Sequence, residues 1–156
     1  MSGLQLVRRT WDASGGQEPA SGKRIADAIA DYNVAATARE DWFGLVLELR
    51  DAEGRLVGGL RADAWAGWLH VIYLWIDAPL RRAGYGSGLL AEAERIALAR
   101  GCHDAHLDTF DWQGVAFYPR FGYREFGRLE GYPPGHVRVY YHKRLAARPE
   151  PARAAP

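Results

Sequence analysis

Apolar and polar positions change period several times along this chain, and each change marks an element. Residues 43–50 alternate, with Leu45, Leu47 and Leu49 on one face, and Asp51-Ala-Glu-Gly54 turns this half-buried strand into a partner from Arg55. A nearly unbroken apolar and aromatic run over 68–76 predicts a buried central strand. The period then becomes helical: Leu89, Leu90, Ala93, Ile96 and Ala97 share one face of a helix over 86–100, with Glu92, Glu94 and Arg95 outside. Strands are predicted over 105–110, 123–129 and 137–144, and a short helix over 113–120. Ahead of the first alternating strand, 4–8 reads as a short strand and 12–19 as a polar loop. Ser21 is then the expected cap of a helix with Ile25, Ala28, Ile29 and Tyr32 on its apolar face. Residues 146–156 hold only Ala, Pro, Arg and Glu, and are expected to be a disordered tail behind a single domain over 1–145. This order of elements predicts an α+β fold. Its sheet is mixed and mostly antiparallel, with a helix crossing between the central strand and the strand at 105.

Composition narrows the function classes. At 156 residues the chain is long enough to bury a core without disulfides or metals. A net charge of +1 gives no electrostatic reason to expect a nucleic-acid partner. Cys102 is the only cysteine, which excludes a disulfide framework and fits a packed small hydrophobe in a reducing compartment. The first residues lack the apolar core of a signal peptide and no apolar run is long enough to span a bilayer, so a cytoplasmic protein with no membrane partner is expected. His103 and His106 stand three apart around a strand start, where side chains face opposite ways, so no metal site is expected. Trp65, Trp68 and Trp75 are assigned to the core.

The chemistry concentrates after the central strand, in Asp77-Ala-Pro-Leu-Arg81-Arg82-Ala83-Gly84-Tyr85-Gly86-Ser87-Gly88. A strand that turns through glycines into a helix start is an anion site. The first helical N–H groups lack internal partners, and the helix dipole favours negative charge there. Gly84, Gly86 and Gly88 allow close backbone approach to a phosphate, with Arg81 and Arg82 adding charge. The turn has no Gly-Lys-Ser/Thr triplet, so it is not a P-loop. Leu89 stands where the Rossmann fingerprint needs glycine. Tyr85 and Leu89 likewise exclude a nucleophile elbow centred on Ser87.

What remains, Arg81-x-x-Gly84-x-Gly86, resembles the pyrophosphate-binding signature of the GCN5-related N-acetyltransferases (GNAT). About thirty residues on, Asp108-Thr-Phe-Asp-Trp-Gln-Gly-Val-Ala-Phe117-Tyr118-Pro-Arg-Phe-Gly122-Tyr123 is similar to that family's next strand and its short helix ending in FYxxxGF/Y. Tyr132-Pro133-Pro134-Gly135-His136 resembles a loop of one small bacterial branch. The resemblance covers residues 43–145 and, more loosely, the first forty.

The resemblance implies a GNAT fold in which the two central parallel strands splay. Acetyl-CoA would lie in the gap, with its pyrophosphate on Arg81, Arg82, Ala83, Gly84, Tyr85, Gly86, Ser87 and Gly88. The pantetheine arm would pair with the backbone of Leu74, Trp75 and Ile76, and Gln113 and Phe117 would lie alongside. In this reading Tyr118 protonates the departing thiolate, whose pKa is roughly 8.5, and a backbone N–H near Leu74 receives the oxyanion. The acceptor ammonium, with a pKa of ~10.4, must lose a proton before it attacks. His70 is the expected base; His136 and a water chain are the alternatives. The acceptor pocket is expected to be lined by Tyr32, Trp42, Trp112, Tyr132 and His136, with His70 alongside. The function implied is acetyl transfer to the primary amine of a small molecule. The alternatives are transfer to a protein or peptide, and a CoA-binding module without catalysis. The partner expected is the amine, and a homodimer is left open.

Overall fold

The structure, a computed structural model, describes residues 5–12 and 16–147. It divides into two units, Met1–Glu40 and Asp41–Pro156. In the first, helix α1 spans Ala20–Thr37, with Ile25, Ala28, Ile29 and Tyr32 all within it. Two local expectations fail here. Residues 5–8 carry no strand, and Leu4 lies outside the described residues. Ser21 does not cap α1: the helix already starts at Ala20, its cap position is Pro19, and no side chain bonds its first amides. Proline fixes φ near the helical value and lacks the N–H that a cap would otherwise leave unsatisfied, so a helix can start without a polar cap.

The second unit is a six-stranded mixed sheet with one long helix, an α+β fold. Its elements are β1 (Phe43–Arg50), β2 (Leu56–Trp65), β3 (Trp68–Ile76), α2 (Tyr85–Ala99), β4 (Asp104–Phe110), β5 (Arg124–Glu130) and β6 (Val137–Arg144). The sheet order is β1-β2-β3-β4-β6-β5. Only β3 and β4 are parallel, because α2 carries the chain back across the sheet between them. The remaining pairings are antiparallel.

Alternation along the strands places the core. Leu60, Ala62 and Ala64 of β2, Leu69 and Val71 of β3, and Ala105 and Leu107 of β4 are buried on one face, against Leu90, Ala93 and Ala97 of α2. Cys102 joins this cluster, and burial pushes its thiol pKa up, as a packed hydrophobe requires. Trp65, Trp68 and Trp75 are not in the buried cluster. β3 also carries one extra residue: Val71 pairs with Ala62 and Tyr73 with Arg61, leaving Ile72 as a bulge. Beyond it, Leu74 takes the place opposite Leu60.

The expected helix over 113–120 is a succession of turns followed by a 3₁₀ helix, Tyr118–Phe121. Gly114 precedes it and Pro119 lies inside it, and both residues oppose a continuous α-helix. The tail predicted over 146–156 lies outside the described residues from 148 on.

Candidate active site

β3 and β4 pair only from Trp68 with Asp104 to Val71 with Leu107. Past that point β4 continues beside β6 to Phe110, while β3 continues beside β2 to Ile76. The two strands part, and the facing edge of β3 has no strand partner from Ile72 onward. A cleft of about 890 Å³ fills the gap, floored by residues 71–76 of β3 and walled by Thr109, Gln113, Phe117 and Tyr118 on the other side.

At one end of the cleft β3 runs into α2. Asp77 accepts a hydrogen bond from the Ala78 N–H at 2.8 Å and starts a single 3₁₀ turn, Ala78–Leu80. The chain then takes Arg82 and Gly84 through positive φ, 66° and 90°. Gly84 is therefore the glycine that this turn requires, whereas Gly86 and Gly88 lie inside α2. The first bond of α2 runs from the Gly88 N–H to the Gly84 carbonyl at 3.0 Å, so the amides of residues 84–87 precede the helical ladder. A Cβ added at Gly84 or Gly88 would meet nothing within 4 Å, and one at Gly86 would rest on Phe117 and Ile76 at 3.7 and 3.8 Å. Arg81 donates from Nε to the Ile76 carbonyl at 2.9 Å, which pins its guanidinium at the end of β3. Arg82 and Arg120 also line the cleft. Open amides with three guanidinium groups fit a diphosphate.

Tyr118 lies on the opposite wall, only 8 % exposed, with its ring against Phe117, Tyr123 and Tyr141 at 5.1, 5.9 and 6.1 Å. Burial, and then the Asp108 carboxylate, push its pKa up to about 12, so the phenol keeps its proton at any working pH. Gln113 serves the wall itself. Its Oε1 accepts the Phe110 N–H at 3.1 Å and the Thr109 hydroxyl at 3.2 Å, leaving its amide nitrogen as the group able to reach a ligand.

Of the residues expected to touch the cofactor, Leu74, Trp75, Ile76, Arg81, Arg82, Gly84, Gly86, Ser87, Gln113 and Phe117 line the cleft, while Ala83, Tyr85 and Gly88 do not. Part of the expected acceptor wall also comes together. Trp112 stacks on Phe110 at 4.4 Å and meets the His136 ring edge-on at 4.6 Å, and Tyr132 packs edge-on against Phe110 at 5.5 Å. Asp111 holds His136 at 3.1 Å from Nδ1. Of this group Trp112 lines the cleft, whereas Trp42, Tyr132, His136 and His70 do not. His70 instead stacks on His106 at 4.4 Å, with rings 4° from parallel, and lies 3.5 Å from Asp63. Tyr32 belongs to the first unit. Sequence reasoning missed Asp108, Thr109 and Arg120 as cleft residues. Asp108 and Thr109 could have been found as the first two residues past the splay, had its position along the strand been known.

The Acetyltransferase (GNAT) family model matches residues 8–123, well over half of the chain. The chain belongs to the GNAT family of acetyltransferases. It is 32% identical over 123 residues to an acetyltransferase of Agrobacterium fabrum, covering 79% of this chain and 90% of that one. Over 83 residues it is 46% identical to the blasticidin-S acetyltransferase of Streptomyces morookaense, a match spanning 53% of this chain and 61% of that enzyme. Among solved structures, an acetyltransferase from Bacillus cereus superposes with a TM-score of 0.74 at 33% identity, covering 83% of this chain and 95% of that one. In this GNAT chain the parting strands, the turn into α2 and the buried tyrosine therefore belong to an acetyltransferase fold. Among the described residues no group of three or more His, Cys, Asp or Glu is arranged to hold a metal, and no helix is long and apolar enough to cross a membrane.

Proposed function

We propose that this GNAT protein is an acetyl-CoA-dependent N-acetyltransferase that acetylates the primary amine of a small molecule by direct transfer in a ternary complex. The observation that carries the reading is the parting of β3 from β4 after Val71 and Leu107, which opens a cleft between the start of α2 and Tyr118. The name of the Streptomyces relative, an antibiotic acetyltransferase, supports a small-molecule acceptor.

Acetyl-CoA, when bound, supplies the acyl thioester. The amides of residues 84–87 and the guanidinium groups of Arg81, Arg82 and Arg120 would hold its diphosphate. The unpaired edge of β3 near Leu74 offers a backbone N–H to the carbonyl oxygen, a donor fixed in place before the reaction begins. Tyr118 donates a hydrogen bond toward the departing sulfur. With a pKa near 12 against roughly 8.5 for a thiol, outright loss of its proton would be uphill by on the order of 5 kcal/mol. Tyr118 is therefore a donor that stays protonated, and the proton that ends on sulfur comes from the amine. The acceptor ammonium must shed another proton before it attacks, and because neither His70 nor His136 lines the cleft, that first proton leaves through water.

Release of free thiol from acetyl-CoA, followed against a panel of primary amines, tests the reading. Amine-dependent release is expected. CoA binding without release under any amine or peptide would make the protein a non-catalytic module, and release confined to lysine peptides would move the acceptor to proteins.

A further inference from the structure

Asp108 is the one carboxylate among the described residues lining the cleft. It follows Leu107, the last residue of β4 that β3 accompanies, and its side chain is 21% exposed. Oδ2 accepts from Nε of Arg138 at 2.5 Å, and no other hydrogen bond reaches the Asp108 carboxylate from the described residues. Arg138 is itself held. Its guanidinium lies over the rings of Phe110, Tyr132 and Tyr140 at 5.3, 5.5 and 5.7 Å, and its Nη1 reaches the Tyr132 hydroxyl at 3.5 Å. This clamp occupies one carboxylate oxygen and leaves Oδ1 with its acceptor capacity unused.

We infer that Asp108 selects the acceptor: its Oδ1 binds the cationic amine of the substrate, and Arg138, wedged among three rings, is the positioning residue that aims it. The inference rests on the reading of this cleft as the acetyl-transfer site. An ammonium is the natural complement of a partly desolvated carboxylate, and a charge-assisted hydrogen bond is about twice as strong as a neutral one. The ammonium gives one proton to water before it attacks, and the anchor persists into the reaction because positive charge returns to the nitrogen as it adds to the thioester carbonyl. A neutral group of the same shape would gain far less.

The test is calorimetric titration of 2-phenylethylamine, and separately of 2-phenylethanol, into the CoA-loaded protein and its Asp108→Asn variant. The parent should prefer the amine by about 10- to 100-fold, and the variant should bind both alike, with CoA affinity unchanged. Arg138→Lys should lower the amine preference while leaving the alcohol untouched. If Asp108→Asn does not fold, Asp108→Glu, which keeps the charge but moves it, should give an intermediate preference. A parent that binds both compounds alike or neither, or a variant that keeps the amine preference, would overturn the inference. Because the readout is binding, a protein that selects the amine through Asp108 yet releases no thiol would refute the transferase reading alone.

Discussion

Val71 and Leu107 are the last pair at which β3 and β4 lie side by side. On the core face both are buried, at 3% and 1% exposure, so the sheet is closed and packed up to this pair. One residue further it is open. The cleft is thus built on a rigid floor rather than on loops, which suits a site that must hold a donor in place before the reaction begins.

Gly86→Asp should abolish CoA binding while leaving the fold intact. The added Cβ finds ordinary contact distances to Phe117 and Ile76, so the loss would come from placing a carboxylate against the diphosphate site. Calorimetry with CoA should show no heat of binding for Gly86→Asp and near-parental affinity for Gly86→Ala.

Tyr118→Phe should lower kcat by roughly 10- to 100-fold with little change in KM for acetyl-CoA, because its hydrogen bond strengthens only as charge builds on sulfur. Since the phenol is pushed up to about 12, it stays protonated throughout the accessible range. The ratio of parent to variant kcat should therefore be flat between pH 6 and pH 10. A ratio that titrates in that range would place the proton elsewhere.

His106 should make the protein acid-sensitive. Burial, and then His70 stacked upon it, hold its pKa below the ordinary value. A depressed folded-state pKa means that the unfolded chain takes up the proton first, near pH 6.5, so stability is full above that pH and falls as the pH drops toward the lower folded value. Thermal melting from pH 7.5 to 5 should show this decline, and His106→Asn should flatten it.

Asp104→Ala should destabilise the unit by about 3 kcal/mol. Asp104 is 1% exposed and lies 2.8 Å from Nδ1 of His103 and 3.5 Å from Nε of Arg144, so removing it strands its partners at the closed end of the sheet. Denaturant unfolding would measure the change, with CoA affinity in the folded state unaffected.

Much of this fold is legible in the sequence because local pattern and final environment agree. β1, β3 and β6 fall at the residues predicted, since their alternation or apolar runs match a sheet with one packed face. The start of α2 and the turn before it are legible because Gly84 is a conformational requirement, and the place of Tyr118 on the cleft wall because it follows a recognisable Phe. What was not legible depends on long-range geometry. His70 looks like a base at a strand end, but its direction is set by pairing with His106, a residue far along the chain on the other side of a crossover. Asp108 looks like one more strand carboxylate, and only the point at which β3 leaves makes it a cleft residue. Ser21 failed as a cap because Pro19 leads into the helix first.

The bulge at Ile72 acts as a reading-frame change for the sheet. Up to Val71 the odd-numbered residues of β3 face the core, and beyond it the even-numbered ones do, so Leu74 is packed while Tyr73 and Trp75 stay outside the core. A ladder that ran on unbroken through Ile72 would set Ile72 opposite Arg61 and Tyr73 opposite Leu60, turning Tyr73 and Trp75 toward the core. The same one-residue slip would turn every later amide of β3 to the opposite edge. The extra residue at Ile72 thus decides which backbone groups the cleft has to offer, and a slip of pairing there would remove the ligand site without the change of a single side chain.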